Sequence, residues 1–233
     1  MSIDDAHDEH EPFLWSTIVV EGPASEAFLQ GQLSQDVVAV GAHGAWSSLL
    51  EPNSDVLATC WLSAIDGRFE LLVARSRGEA ALARLRRFHL RVDCTLRLDE
   101  AARGPYNTVG EQVEQREPGP GEFVGLTPQC YGEGFVERTV SFTKGCFTGQ
   151  ELVARLDARG ASVPWRFVHA KGPTLEAIEA VLSAKGPQSA TGPRGVTSAV
   201  RREDGVEALG FIHRSALEDL SGTEKVVEVA LIA

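Results

Sequence analysis

Residues Lys144 to Gly160 read KGCFTGQELVARLDARG, and the rest of the chain is organised around this stretch. Thr148 followed three residues later by Glu151 has the spacing of a capping box, in which the hydroxyl takes the Glu151 N–H and the carboxylate reaches back to the Thr148 N–H. A helix is therefore predicted to begin there. Leu152, Val153 and Leu156 recur on one face, Glu151 and Arg155 stand four apart as an exposed pair, and Gly160 supplies the stop. Cys146 lies just ahead of the cap, after a glycine and close to Lys144. A helix N-terminus and an ammonium both favour thiolate over thiol, so Cys146 is the cysteine placed in a reactive setting, with Lys144 beside it. The residues alone leave a second reading open, in which Gly145 and Gly149 shape a tight loop and Cys146 is a small buried filler.

Composition sets the frame for this site. At 233 residues, 43% hydrophobic and 24% charged, the chain has the make-up of a globular protein with one large or two small domains. No apolar run approaches the roughly 18 residues that span a bilayer, and the start MSIDDAHDEHEP is acidic where a signal peptide is basic and then apolar. These features predict a cytoplasmic protein with no membrane association. Cys60, Cys94, Cys130 and Cys146 form no Cys-x-x-Cys pair, which predicts reduced thiols and no metal site. A formal net charge of −11 opposes broad nucleic-acid binding. The cluster Arg84, Arg86, Arg87 and Arg91 reads as a solvated helix end.

Outward from Lys144 to Gly160, the chain reads as α+β. Residues 1–12 read as a disordered acidic tail, residues 13–159 as an α+β domain, and residues 160–233 as a small β-rich domain with the form of a partly closed barrel. Ile18 to Val20 predict a strand, Ala24 to Leu33 a helix, and Ala45–Leu50 with Val56–Ser63 a hairpin. Asp66-Gly67 is a two-residue turn signal before a strand at Phe69 to Val73. Ser76 and Glu79 have the spacing of a second capping box, opening a helix whose Leu82, Leu85 and Phe88 face the core. Val92 to Leu98 alternate as a strand. The order suits a split β-α-β module with antiparallel pairing. Periodicity fails over about 99–122, which therefore reads as a linker. Beyond Gly160, alternation predicts strands around Phe167, Val196 to Val200, Ala208 to Ile212 and Val227 to Leu231, with a helix from Thr174.

The run KGCFTGQE resembles the signature of YgfZ-type folate-binding proteins, Lys-Gly-Cys-Tyr-Thr-Gly-Gln-Glu, and departs from it at Phe147. GPASEAFLQGQLSQDV resembles the start of the same family, and the resemblance spans about Trp15 to Leu98 and Pro128 to the end. The stretch between is shorter than in fuller-length relatives. The family shares its fold with the T-protein aminomethyltransferases of glycine cleavage. The resemblance implies that tetrahydrofolate or a derivative is the cofactor, that Trp15, Gln150, Glu151 and Arg155 line its pocket, and that Cys146 with Lys144 carries the chemistry. Without it, Trp15 reads equally as a core anchor. The resemblance further implies an accessory role in iron–sulfur cluster assembly or maintenance, serving enzymes such as tRNA-modifying ones, with client or assembly proteins as partners. The alternatives are a folate-dependent aminomethyltransferase and a folate-binding module without chemistry. The transferases carry an acidic pair just after the second-hairpin turn, where this chain has Ala58-Thr59 and, nearby, Asp55.

Overall fold

The apolar run Trp15–Glu21 forms β1, an inner strand bonded to β4 (Arg68–Ala74) on one side and β5 (Thr95–Ala101) on the other. The structure, a computed structural model, describes residues 6–101, 103–160, 162–183, 192–219 and 227–232. With β2 (Ala45–Leu50) and β3 (Val56–Ile65) the first sheet has the order β2-β3-β4-β1-β5 and is antiparallel throughout. Asp66 and Gly67 turn between β3 and β4 with φ of 49° and 79°, the positive angles that match the twist of a tight hairpin. Helices α1 (Ser25–Gln32) and α2 (Arg75–Arg86) cover one face of this sheet, where Ile18, Leu29, Leu62, Leu71 and Leu85 form a dry core. Each such side chain contributes about 1.5–3 kcal/mol by leaving water.

Three local expectations for this region are corrected. No side chain caps α2, whose N-cap is Ala74, so Ser76 and Glu79 do not form a capping box. Phe88 is 41% exposed, while Arg84 is fully buried and lies over the Phe88 ring at 4.4 Å. The arginine thus takes the inward position expected of the phenylalanine, because the carbonyl of Leu50 and the amide of Gln32 are there to receive its N–H groups. Strand β5 starts at Thr95, three residues later than the alternation from Val92 predicts.

The stretch 99–122 is built into the fold rather than acting as a linker. β5 runs on to Ala101, and α3 (Val109–Glu114) is capped by Thr108, whose hydroxyl accepts from the Glu111 N–H at 3.0 Å. Glu122 is fully buried: its carboxylate accepts from the Gly119 N–H at 2.7 Å and from the Ser198 hydroxyl at 2.6 Å. Polar residues with buried partners and single anchors such as Tyr106 and Val113 hold this stretch, a kind of burial that leaves no periodic trace. No strand forms at 123–126; Phe123 is buried and the Leu126 carbonyl accepts from the Val56 N–H at 2.8 Å. A 3-10 turn, Pro128–Tyr131, and α4 (Glu133–Thr139) then lead to α5 (Gln150–Ala158).

The second sheet contains β6 (Trp165–Gly172), β7 (Gly195–Arg202), β8 (Gly205–His213) and β9 (Glu228–Leu231) in the order β7-β8-β6-β9. It is antiparallel and open, so the barrel expected of the C-terminal domain does not close among the described residues. Helix α6 (Leu175–Ser183) packs Leu175, Ile178 and Leu182 on one face, and α7 (Arg214–Asp219) follows β8. A central cluster joins Leu50 and Val56 of the first sheet, Phe147 and Val153 of the signature segment, and Phe167 and Phe211 of the second sheet. Packing is therefore continuous across 159/160. A sheet with two apolar faces needs cover on both, and the segment between the sheets supplies it.

Residues 6–12 are docked rather than disordered; residues 1–5 of the expected tail lie outside the described residues. The His7 N–H donates to the Ala199 carbonyl at 2.8 Å, and the Glu11 carbonyl accepts from the Val109 N–H at 2.9 Å. An acidic run lacks apolar periodicity, but its backbone pairs wherever an open strand edge is within reach.

Candidate functional site

Lys144 to Gly149 form a loop fastened at both ends to the C-terminal end of α1. At the first end the Lys144 ammonium donates to the carbonyls of Leu33 and Gln35, at 2.7 and 2.9 Å, and lies 5.2 Å from the Phe147 ring centroid. Burial pushes this amine down to about 8, with Asp36 pulling in the opposite direction. At the second end the Thr148 N–H donates to the Gly31 carbonyl at 3.0 Å, and its hydroxyl reaches the Gln32 amide oxygen at 3.4 Å. Phe147 is buried between them in the central cluster. Gly145 and Cys146 are left as the exposed tip.

The capping box predicted at Thr148 and Glu151 is absent. Helix α5 starts at Gln150, with Gly149 as N-cap at φ 84° and no side-chain cap bond. A β-carbon on Gly149 would lie 2.5 Å from the Glu51 carbonyl oxygen, so only glycine admits this approach. Tertiary contact outcompetes the local cap because the Thr148 hydroxyl finds acceptors on α1. Gln150 instead accepts the Phe147 N–H at 3.1 Å.

A second layer supports this loop from beneath. Arg84 donates to the Leu50 carbonyl at 3.0 Å and to the Gln32 amide oxygen at 3.1 Å, so Gln32 receives Arg84 and Thr148 together. Arg87 grips both oxygens of Glu51 at 2.8 Å, beside the Gly149 contact. The expectation of Arg84 as solvated is thus overturned, and Gln32 and Arg84 are support residues that the sequence reading missed. Their signal was a polar residue on an otherwise apolar stripe: Gln32 follows Phe28 by four residues and Leu29 by three.

The four thiols differ sharply. Cys146 is exposed, whereas Cys60, Cys94 and Cys130 are buried. Burial pushes Cys60 up to about 12 and Cys130 up to about 11, and it raises Cys94 as well. The exposed tip can therefore act as a nucleophile or present a metal ligand to a partner, while the Lys144 ammonium is engaged with the carbonyls of Leu33 and Gln35.

Of the residues expected to hold folate, Gln150, Glu151 and Arg155 share α5 and Trp15 lies apart from them. Trp15 is 2% exposed; its N–H donates to the Tyr106 carbonyl at 2.7 Å, and its ring packs among Phe13, Trp46 and Tyr106. The backbone of Gly104 lies against the indole so closely that a β-carbon there would sit 2.3 Å from it. This corrects the placement of Trp15 in a pocket: it is a core anchor, with no free face on which a pterin can stack. Trp46 touches Trp15 and Leu50 touches Gly149, so Trp15 and the signature loop lie toward opposite ends of β2, about 13 Å apart along the strand. Glu151 and Arg155 pair with each other at 2.6 Å on the exposed side of α5. Ala58 and Thr59 are buried on β3, and the Asp55 carboxylate is held by the Asn53 amide at 2.7 Å. Among the described residues no group of three or more His, Cys, Asp or Glu side chains is arranged to hold a metal ion, and no helix is long and apolar enough to cross a membrane.

No protein-family model matches this chain, and no curated protein matches it in sequence. Among solved structures it is similar to the glycine cleavage system aminomethyltransferase T from Bartonella henselae, with a TM-score of 0.58 and 16% identity over 99% of this chain and 84% of that one. A likeness at this identity speaks to architecture, and the chain has an α+β fold shared with that aminomethyltransferase.

Proposed function

We propose that this protein is a cytoplasmic, thiol-bearing accessory factor that supports iron–sulfur cluster assembly or maintenance, and through it enzymes such as tRNA-modifying ones. Cys146 is its working thiol. The observation that supports this reading is the exposure of Cys146 on a loop clamped at both ends, while the other three cysteines are buried. A clamped tip presents its sulfur to a partner at little entropic cost. A single cysteine is too few ligands for a cluster, which ordinarily takes four, so the partner supplies the remainder.

Tetrahydrofolate enters this reading as a ligand suggested by the shared fold and by the signature. Trp15 is buried away from Gln150, Glu151 and Arg155 on α5, so the ligand has no chemical step in this reading. Aminomethyl transfer is the second reading, favoured by the likeness to aminomethyltransferase T. The buried Ala58 and Thr59 weigh against it, since neither offers a carboxylate.

The test combines two measurements. Thiol reagent at neutral pH is expected to modify one cysteine in the folded wild type and none in Cys146→Ala, with four reacting in the denatured wild type. Cells lacking the protein are expected to lose activity of cluster-dependent enzymes, restored by wild type and not by Cys146→Ala. Full rescue by Cys146→Ala, or robust methylenetetrahydrofolate formation from an aminomethyl donor by the purified protein, overturns the proposal.

A further inference from the structure

Away from Cys146, the outer side of β7 is an edge of the second sheet. An edge strand offers unpaired N–H and C=O groups to any extended chain, and folded proteins keep such edges covered. In the first half of β7 the Val196 N–H donates to the Glu179 carboxylate at 2.6 Å, and beside it the Ser198 side-chain hydroxyl donates to Glu122 at 2.6 Å. The second half is covered by the chain's own N-terminal segment. The His7 N–H donates to the Ala199 carbonyl at 2.8 Å, the Arg201 N–H donates to the His7 carbonyl at 3.1 Å, and His7 pairs with Val200 in parallel.

We propose that this half of β7 is a binding site for an extended acidic peptide of a partner protein, and that residues 6–12 occupy it in cis as a built-in competitor.

The chemistry of recognition is visible in the occupant. Ala6 is buried against the apolar cluster of the second sheet, so the site takes a small side chain there. Three residues on, Glu9 pairs with Arg202, whose guanidinium also donates to the Gly110 carbonyl at 3.1 Å and is braced by Glu207. His7 and Glu11 turn outward and pair with each other at 2.7 Å, about half exposed, so they contribute little to the choice of ligand. The pattern read is therefore a small residue, two unrestricted ones and an acid. Main-chain bonds to the strand supply affinity, and the two side-chain positions supply selectivity.

Charge is complementary as well. Residues 1–12 contain Asp4, Asp5, Asp8, Glu9 and Glu11 and no Lys or Arg, while the receiving strand ends in Arg201-Arg202. The cis occupant is held on β7 by His7 and on α3 by Glu9 and Glu11, whose carbonyls accept from the Gly110 and Val109 N–H groups. A cleft lined by Ala6, Asp8, Glu9, His10 and Arg201 remains beside it, and among the described residues of the segment His7 is the one that exchanges backbone bonds with β7. A partner segment of the same pattern that pairs along more of the edge outcompetes it.

The experiment uses the full chain carrying His7→Pro, which removes the N–H given to Ala199, and in parallel Glu9→Lys, which reverses the charge facing Arg202. A fluorescein-labelled peptide of residues 1–13 is titrated and followed by anisotropy. Both variants are expected to bind it at least tenfold more tightly than wild type, and a peptide carrying Glu9→Lys is expected not to bind. Amide exchange at Arg201, Val109 and Gly110 is expected to quicken in both variants and to slow again with peptide, while Leu209 stays unchanged. Absence of peptide binding to both variants, or equal binding of a scrambled peptide of the same composition, overturns the proposal.

Discussion

The Lys144 ammonium donates to the Leu33 carbonyl at 2.7 Å across 111 positions of sequence, and this bond fastens the Cys146 loop to the end of α1. The amine is the charged half of a contact whose other half is backbone, and the Asp36 carboxylate offsets its burial only in part. That is why it is pushed down to about 8 from the ordinary 10.5.

Lys144→Met is expected to lower stability at pH 7 by about 1–3 kcal/mol, since the carbonyls of Leu33 and Gln35 lose a charged donor. The pH dependence carries a definite sign. Between about 8 and 10.5 the folded state has shed the Lys144 proton and the unfolded state still holds it, so stability rises with pH through that window. Urea midpoints at pH 7 and pH 10 should show the gap between wild type and Lys144→Met widening at the higher pH. A constant or shrinking gap would mean that the amine is not desolvated as described.

Gly149→Ala is expected to cost about 3 kcal/mol or more, because φ of 84° is strained for alanine and the new β-carbon meets the Glu51 carbonyl at 2.5 Å. Gly145→Ala is the internal control. Nothing lies within 4 Å of a β-carbon there, so its effect is expected to stay within about 0.5 kcal/mol. Thermal melts of the two proteins decide the matter; similar melting temperatures would show that the loop is not seated against β2.

Trp15→Phe is expected to destabilise by about 2–4 kcal/mol, from the lost bond to the Tyr106 carbonyl and the void left beside Gly104. Tetrahydrofolate affinity, measured by calorimetry under conditions where the variant stays folded, is expected to match that of the wild type. A large loss of affinity with normal stability would restore Trp15 as a ligand contact.

Much of the architecture is legible in the linear order of residues. The alternation through β2, β3 and β4, the Asp66-Gly67 turn, and the apolar stripe of α1 depend on neighbours within a few positions, and each appears where that pattern places it. Cys146 was singled out among the four cysteines by a glycine turn, Lys144 and a helix start close by in the chain, and it is the exposed one.

What was misread depends on partners distant in sequence. Thr148 satisfies its hydroxyl on Gly31 and Gln32 rather than on Glu151, Arg84 goes inward because Leu50 and Gln32 await it, and Trp15 is sealed by Gly104 and Tyr106. The acidic segment at residues 6–12 likewise takes its place from partners far along the chain, on the β7 edge and at the start of α3. Local patterns in the chain settle the α+β class, the order of most strands and helices, and the placing of one cysteine on a glycine-rich turn. The tertiary structure alone decided which polar groups are buried and with whom. A hydrogen bond or a desolvated charge takes its energy from the groups that the fold brings to it, and that pairing is written in no local pattern.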